Sequence, residues 1–273
     1  MGEKSRRLNR FLSEHPFCCL CGGVRPAVEQ DHIPPRACFP KGLMPEGFEF
    51  PSCVQCNRGS RDADQVFGFY ARLFEFDERN MEPGALSSLS RNLHRFQPDY
   101  MPKQLRSIRE KRNALAALQR KLPFGQSVAD VPIVAVPVEF DQVAITMGRK
   151  LACALGYRHL GRPLTSTHRI ATGWFQEQTP DTSAFTDEIV QLTSRVVMTS
   201  RSNIKDYGER FRYRYDCNPE DQTLVYLAQW GRGLIVWGMT APLDYWIVWD
   251  EEDPEGATWE DDTHPIFGPA SDL

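Results

Sequence analysis

The sequence has no uninterrupted apolar run long enough to span a bilayer, so no membrane-crossing helix and no membrane partner are expected. Its first residues, MGEKSRRLNRFLSEH, carry positive charges with no apolar stretch behind them, which is not the pattern of a secretory leader. A myristoylation signal would need Ser or Thr at position 6, where Arg6 stands. Internal repeats and low-complexity tracts are also missing. Together these absences predict a cytoplasmic protein. In that reducing compartment, eight cysteines point to metal ligation rather than to a disulfide framework.

At 273 residues, with 41% hydrophobic and 25% charged residues, the chain reads as globular and near the size limit of a single core. The net charge of −4 conceals an asymmetry. Residues 1–124 hold 20 Lys and Arg against 14 Asp and Glu, a balance of +6, and residues 125–273 hold 12 against 22, a balance of −10. A basic first half suits a polyanionic partner, and an acidic second half does not.

Apolar periodicity predicts a basic helix over 3–14, closed by His15-Pro16 because the residue before proline disfavours helical geometry. A short strand is expected over 27–33, stopped by Pro34-Pro35, and a helix after Arg61 with Asp62 and Asp64 at its positive end. Further helices are expected over 84–97 and 102–122, the latter rich in Lys and Arg with Glu110 its single acid, suited either to a bundle face or to phosphates. Residues 123–132 read as a domain boundary, dividing a unit over 1–124 from an α+β domain over 130–250 and an acidic tail over 251–273. In the second domain, a strand over 133–140, a helix over 141–157 ending near Gly156 and a helix over 183–199 are expected. Strands over 211–215, 223–230, 234–238 and 244–250 should make an antiparallel meander. Its Tyr and Trp residues read as sheet packing, and His159 and His168 as structural.

The densest chemistry lies between Cys18 and Asn57. Cys18/Cys21 and Cys53/Cys56 form two Cys-x-x-Cys pairs with 31 residues between the inner cysteines, the composition of a closed four-thiolate Zn²⁺ site. Cys18 is preferred to Cys19, because a one-residue gap to Cys21 would strain the turn. The same segment holds Asp31-His32 and Asn57. A carboxylate and an amide oxygen suit Mg²⁺ or Mn²⁺, and a neutral imidazole can take a proton from water. The same residues would also serve as a capping and packing pair beside a metal knuckle.

The order Cys-x-x-Cys, Asp-His-Ile-Pro-Pro, Cys-x-x-Cys-Asn resembles the zinc-stapled branch of the HNH (ββα-metal) endonucleases over residues 15–75. The resemblance implies an α+β protein: an N-terminal ββα-metal module with flanking helices, followed by an α+β domain with an antiparallel sheet. It implies that Cys18, Cys21, Cys53 and Cys56 hold a structural Zn²⁺. Asp31 and Asn57 would hold a catalytic Mg²⁺ or Mn²⁺, and His32 would be the general base of phosphodiester hydrolysis. Arg58 or Arg61 would take the scissile phosphate, and Asp64 matches an acid found after the motif. DNA is the implied partner, with a homodimer or two successive nicks for cutting both strands. The chain departs from the family in lacking an Asn before Cys53; residues 47–51 read Gly-Phe-Glu-Phe-Pro, with Glu49 the candidate substitute. That departure leaves two alternatives: a zinc-stapled binding module that does not cut, or an accessory subunit acting through its second domain.

Overall fold

The computed structural model describes residues 2–40, 43–74, 85–104, 106–117, 127–130, 134–176, 183–199, 210–231 and 233–245. The expected acidic tail over 251–273 lies outside them, as does most of the 123–132 segment. The fold is α+β, with seven helices and nine strands among the described residues.

Helix α1 (Glu3–Glu14) ends at His15, whose Nδ1 lies 2.8 Å from the Tyr157 hydroxyl. A tight turn at Cys19–Cys21 follows, closed by Gly22 and Gly23 at φ of +66° and +79°. A Cβ on Gly22 would stand 2.8 Å from the Leu164 carbonyl oxygen, so this turn requires glycine twice over. Strands β1 (Glu29–His32) and β2 (Glu49–Ser52) pair antiparallel, setting Asp31 opposite Phe50 and His32 opposite Glu49. Helices α2 (Val54–Gly59) and α3 (Arg61–Phe74) follow at once. One face of α3 buries Val66, Phe67, Tyr70 and Ala71. At Gly68 it passes the Arg36–Cys38 turn so closely that a Cβ would stand 2.3 Å from that of Ala37.

Helix α4 (Ala85–Phe96) packs on α3. Among the described residues, the basic stretch 102–122 is helical as α5 (Ile108–Ala117), preceded by strand β3 (Lys103–Gln104), which pairs with the two residues of β4 (Val134–Ala135). Residues 102–122 therefore do not form one long helix, and residues 133–140 do not form one long strand. Helix α6 (Phe140–Leu160) runs past Gly156, which is buried inside it, and ends at Gly161 with φ of +76°.

The main sheet holds β5 (His168–Gln176), then, after helix α7 (Ser183–Leu192), β6 (Arg195–Met198), β7 (Phe211–Asn218), β8 (Thr223–Trp230) and β9 (Leu234–Pro242). Its antiparallel order is β5-β9-β8-β7-β6. The expected helix over 183–199 thus breaks at Thr193 into a helix and an edge strand, and β5, an edge strand absent from the sequence-based expectation, sits at the opposite side. Residues 244 and 245 are helical rather than extended; the rest of the expected strand over 244–250 lies outside the described residues.

Alternation along β8 divides the sheet's faces. Leu224, Tyr226, Ala228 and Trp230 join a buried cluster with α6, α3 and the cysteine turns, and Leu227 packs with Ile189 of α7. Gly148 lets α6 approach the sheet, since a Cβ there would overlap Thr172 Oγ1. One continuous core therefore includes both the cysteine-rich segment and the sheet, with α6 between them. That placement carries α6 side chains to the underside of β1.

Candidate functional site

Four cysteines converge first. Cys18 precedes the tight turn that ends with Cys21, Cys53 caps α2, and Cys56 lies one turn inside that helix. The Cys53 sulfur accepts from the Cys56 amide at 3.5 Å, and the Cys18 carbonyl accepts from the Gly23 amide at 2.9 Å. The four Sγ atoms are buried and lie within 4.8 Å of one another, so they can hold a metal ion such as zinc. The crowding shows in their acidity. Side-chain hydrogen bonds with Cys18 and Cys56 push Cys21 down to about 3, and those with Cys18 and Cys21 push Cys56 up. On binding a divalent ion such a set gives up its thiol protons and keeps its sulfurs as ligands. Cys19 is buried outside this set, and desolvation raises its thiol well above the ordinary value.

Beside the thiol pocket lies an open cleft of about 440 Å³, lined among others by Glu29, Asp31, His32, Asn57, Arg58 and Arg61. The sequence-predicted residues outside the cysteines therefore share one cavity. Adjacent strand residues point to opposite faces, yet Asp31 and His32 both border the cleft because they do so at different depths. Their side chains are 9% and 18% exposed. His32, at the end of β1, reaches the opening. Asp31 points down toward α6.

His32 Nε2 lies 2.9 Å from Arg36 NH2 and 3.8 Å from Glu49 Oε1. A guanidinium only donates, so Nε2 accepts here and the ring proton is assigned to Nδ1. Desolvation, helped by the Arg36 charge, holds the imidazole below its ordinary pKa of 6.5, against the pull of Glu49 and Asp31. The ring is therefore neutral and basic at neutral pH. Glu49, opposite His32 in the strand register, occupies the side where the sequence lacks an Asn.

Asn57 Nδ2 donates to Glu29 Oε2 at 2.7 Å, which turns the amide oxygen away from Glu29. Glu29 lies two residues before Asp31, on the same face of β1. Both Glu29 and Arg36 went unremarked in the sequence; the period of two along the strand was the signal for Glu29.

A charged residue from the second half completes the floor. Lys150 of α6 is fully buried, with Nζ 2.8 Å from Ser60 Oγ, 2.9 Å from both Asp64 oxygens and 3.0 Å from Asp31 Oδ2. The Asp31 contact is an ion pair rather than an aligned hydrogen bond, with Oδ2 sealed from solvent. Desolvation alone would lower the Lys150 pKa, but Asp64 and then Asp31 outweigh it, and the ammonium stays charged. Burial pushes the Asp64 carboxyl up to about 6, with Lys150 opposing and Asp31 adding to the rise. Ser60 ties the cluster to the thiol pocket, donating to the Cys56 carbonyl at 3.2 Å.

His159 and His168 lie outside the cleft lining. His159 stacks on Tyr215 at 3.7 Å between centroids and is half-buried, and His168 Nδ1 lies 3.2 Å from Thr165 Oγ1. Among the described residues, no helix is long and apolar enough to cross a membrane. In comparison with known proteins, no family model, no curated protein and no solved structure matches the chain.

Proposed function

We propose that this chain is a metal-dependent endonuclease of the HNH type that hydrolyses phosphodiester bonds in DNA. The observation that carries the proposal is the single cleft bordered by a neutral histidine, hard oxygen donors and arginines, next to a four-thiol pocket.

Each group has a task that its surroundings suit. The cysteines would hold a structural Zn²⁺, fixing β1, β2 and α2 around the cleft. Asp31 and Asn57, with Glu29 beside them, offer carboxylate and amide oxygens of the kind that hold Mg²⁺ or Mn²⁺. When bound, such an ion supplies charge stabilisation at the phosphate and at the departing 3′ oxygen. His32 takes the proton from the attacking water at Nε2, after Arg36 swings from that atom to a phosphate oxygen. Arg58 and Arg61, exposed at the rim, pair with backbone phosphates, so contacts of this kind carry little sequence information. Cutting both strands then takes a homodimer or two nicks in succession.

A second reading is favoured by one observation. Asp31 is already paired with Lys150, and a carboxylate whose charge is offset from within the fold suits a zinc-stapled module that binds without cutting. Supercoiled plasmid incubated with Mg²⁺ or Mn²⁺ decides between them. The nuclease reading expects nicking by the wild-type protein and a loss of about 10²–10⁴-fold in His32→Ala. Intact plasmid, RNA and single strands after incubation with wild type would leave the binding module. Equal cutting by both proteins would remove His32 from the mechanism.

A further inference from the structure

Lys150 is the most deeply buried charge among the described residues, and the proposed reaction does not use it. It is 0% exposed at the middle of α6, an expensive place for an ammonium unless oxygen atoms replace its water. Oxygen replaces that water: Ser60 Oγ and both oxygens of Asp64 accept hydrogen bonds from Nζ at 2.8–2.9 Å, and Asp31 Oδ2 adds an ion pair at 3.0 Å. These acceptors come from three elements, β1, the α2–α3 junction and α3, and the cation comes from a fourth. Two of them, Asp31 and Asp64, also line the cleft.

The point occupied by Nζ is thus an all-oxygen position between two carboxylates, the donor chemistry that otherwise takes a hard divalent cation. An ammonium on a four-carbon stem differs from such an ion in one respect: it cannot leave. We propose that Lys150 is a positioning residue, a cation tethered by the chain where a second divalent ion would otherwise bind. It holds Asp31 by Oδ2 so that the rest of that carboxylate is presented to the cleft, and it limits the cleft to one exchangeable ion. The role as a positioning residue rests on the nuclease reading, whereas the tethered-cation claim can be measured without any cutting.

The test counts ions. Zinc-loaded full-length wild type, Lys150→Ala and the double variant Lys150→Ala/Asp64→Asn are titrated with Mn²⁺, and free Mn²⁺ is read from its six-line electron paramagnetic resonance signal. The inference expects Lys150→Ala to bind one more Mn²⁺ per chain than wild type, and the double variant to lose that gain. The melting temperature of Lys150→Ala should rise with Mn²⁺ more steeply than that of wild type. A lysine that merely stabilises the core would leave the count unchanged. A folded Lys150→Ala with the wild-type count therefore overturns the inference. If Lys150→Ala is unfolded without divalent ions, refolding on addition of Mn²⁺ supports the inference, and failure to refold overturns it. Wild type that binds no Mn²⁺ sinks the nuclease reading, and the gain of one ion in Lys150→Ala still decides this one.

Discussion

Two sites stand side by side in this molecule and differ in nearly every respect. The thiol pocket is closed, made of soft donors, and built from four residues within forty positions of sequence. The cleft is open to water, lined by oxygen and guanidinium groups, and floored by a lysine from the other half of the chain. The contrast separates a site that fixes structure from one that can exchange its contents. It also shows why the second is harder to assemble. A closed thiolate set takes its counter-charge from the divalent ion it binds, whereas the two buried carboxylates here take theirs from a lysine elsewhere in the fold.

Breaking the pocket should have the largest effect. Cys56→Ser is expected to lose the zinc, and with it a binding free energy of about 10 kcal/mol or more that maintains the fold around it. Elemental analysis should fall well below one zinc per chain, with a collapse in melting temperature. His32→Ala, in contrast, should keep both. If Cys56→Ser stays folded with bound zinc, the two sites are not divided as described.

A change at the cleft rim should act on substrate alone. If DNA is the partner as proposed, Arg61→Ala is expected to weaken its binding by about 1.5–3 kcal/mol and to reduce the salt dependence by about one counterion. Melting temperature and zinc content should stay at wild-type values. Binding isotherms at several salt concentrations check this, and an unchanged slope would take Arg61 off the phosphate track.

Next in size is a shift in pH profile. Burial and Arg36 lower the His32 pKa, so on the proposed nuclease reading the acid limb of the cleavage rate should lie below pH 6.5, activity falling as the ring gains its proton. Arg36→Ala removes one of the two causes and should move that limb to higher pH by under about one unit. A limb that moves the other way would remove the Arg36 charge as a cause of the lowered pKa.

The smallest effect concerns neither site. Burial, with Arg158 and Arg195 nearby, holds His159 down to about 4 against an ordinary 6.5. The unfolded chain takes up this proton first, so the contribution is fully present above pH 6.5 and declines as pH falls toward 4. Its half-exposed ring limits the amount to about 1 kcal/mol. His159→Gln should flatten that part of the stability profile measured by urea unfolding.

Sequence spacing made the thiol set legible, because a ligand group confined to two short turns is a local property. Asp31, His32 and Asn57 were legible as candidates for the same reason, and they do share a cleft. Lys150 was not. In a helix, lysine ordinarily reads as solvated surface, and only its place three residues after Met147 and four before Ala154, on the apolar side of α6, marked it as interior. Strand β5 was not legible because polar His168 and Arg169 and the small residues Thr172 and Gly173 break up its apolar pattern, although Ile170, Trp174 and Phe175 supply strand-forming side chains. Gly156 suggested a helix end by residue type. The glycine that ends α6 is Gly161, and which of two glycines terminates a helix depends on what packs around each.

Gly68 has a consequence beyond packing. Helix α3 leans on Ala37 at that point, and Ala37 is joined to Arg36, the residue that touches His32. Any side chain at position 68 would push the turn outward and carry the guanidinium with it. A residue with no side chain thus sets the width of a doorway it does not line.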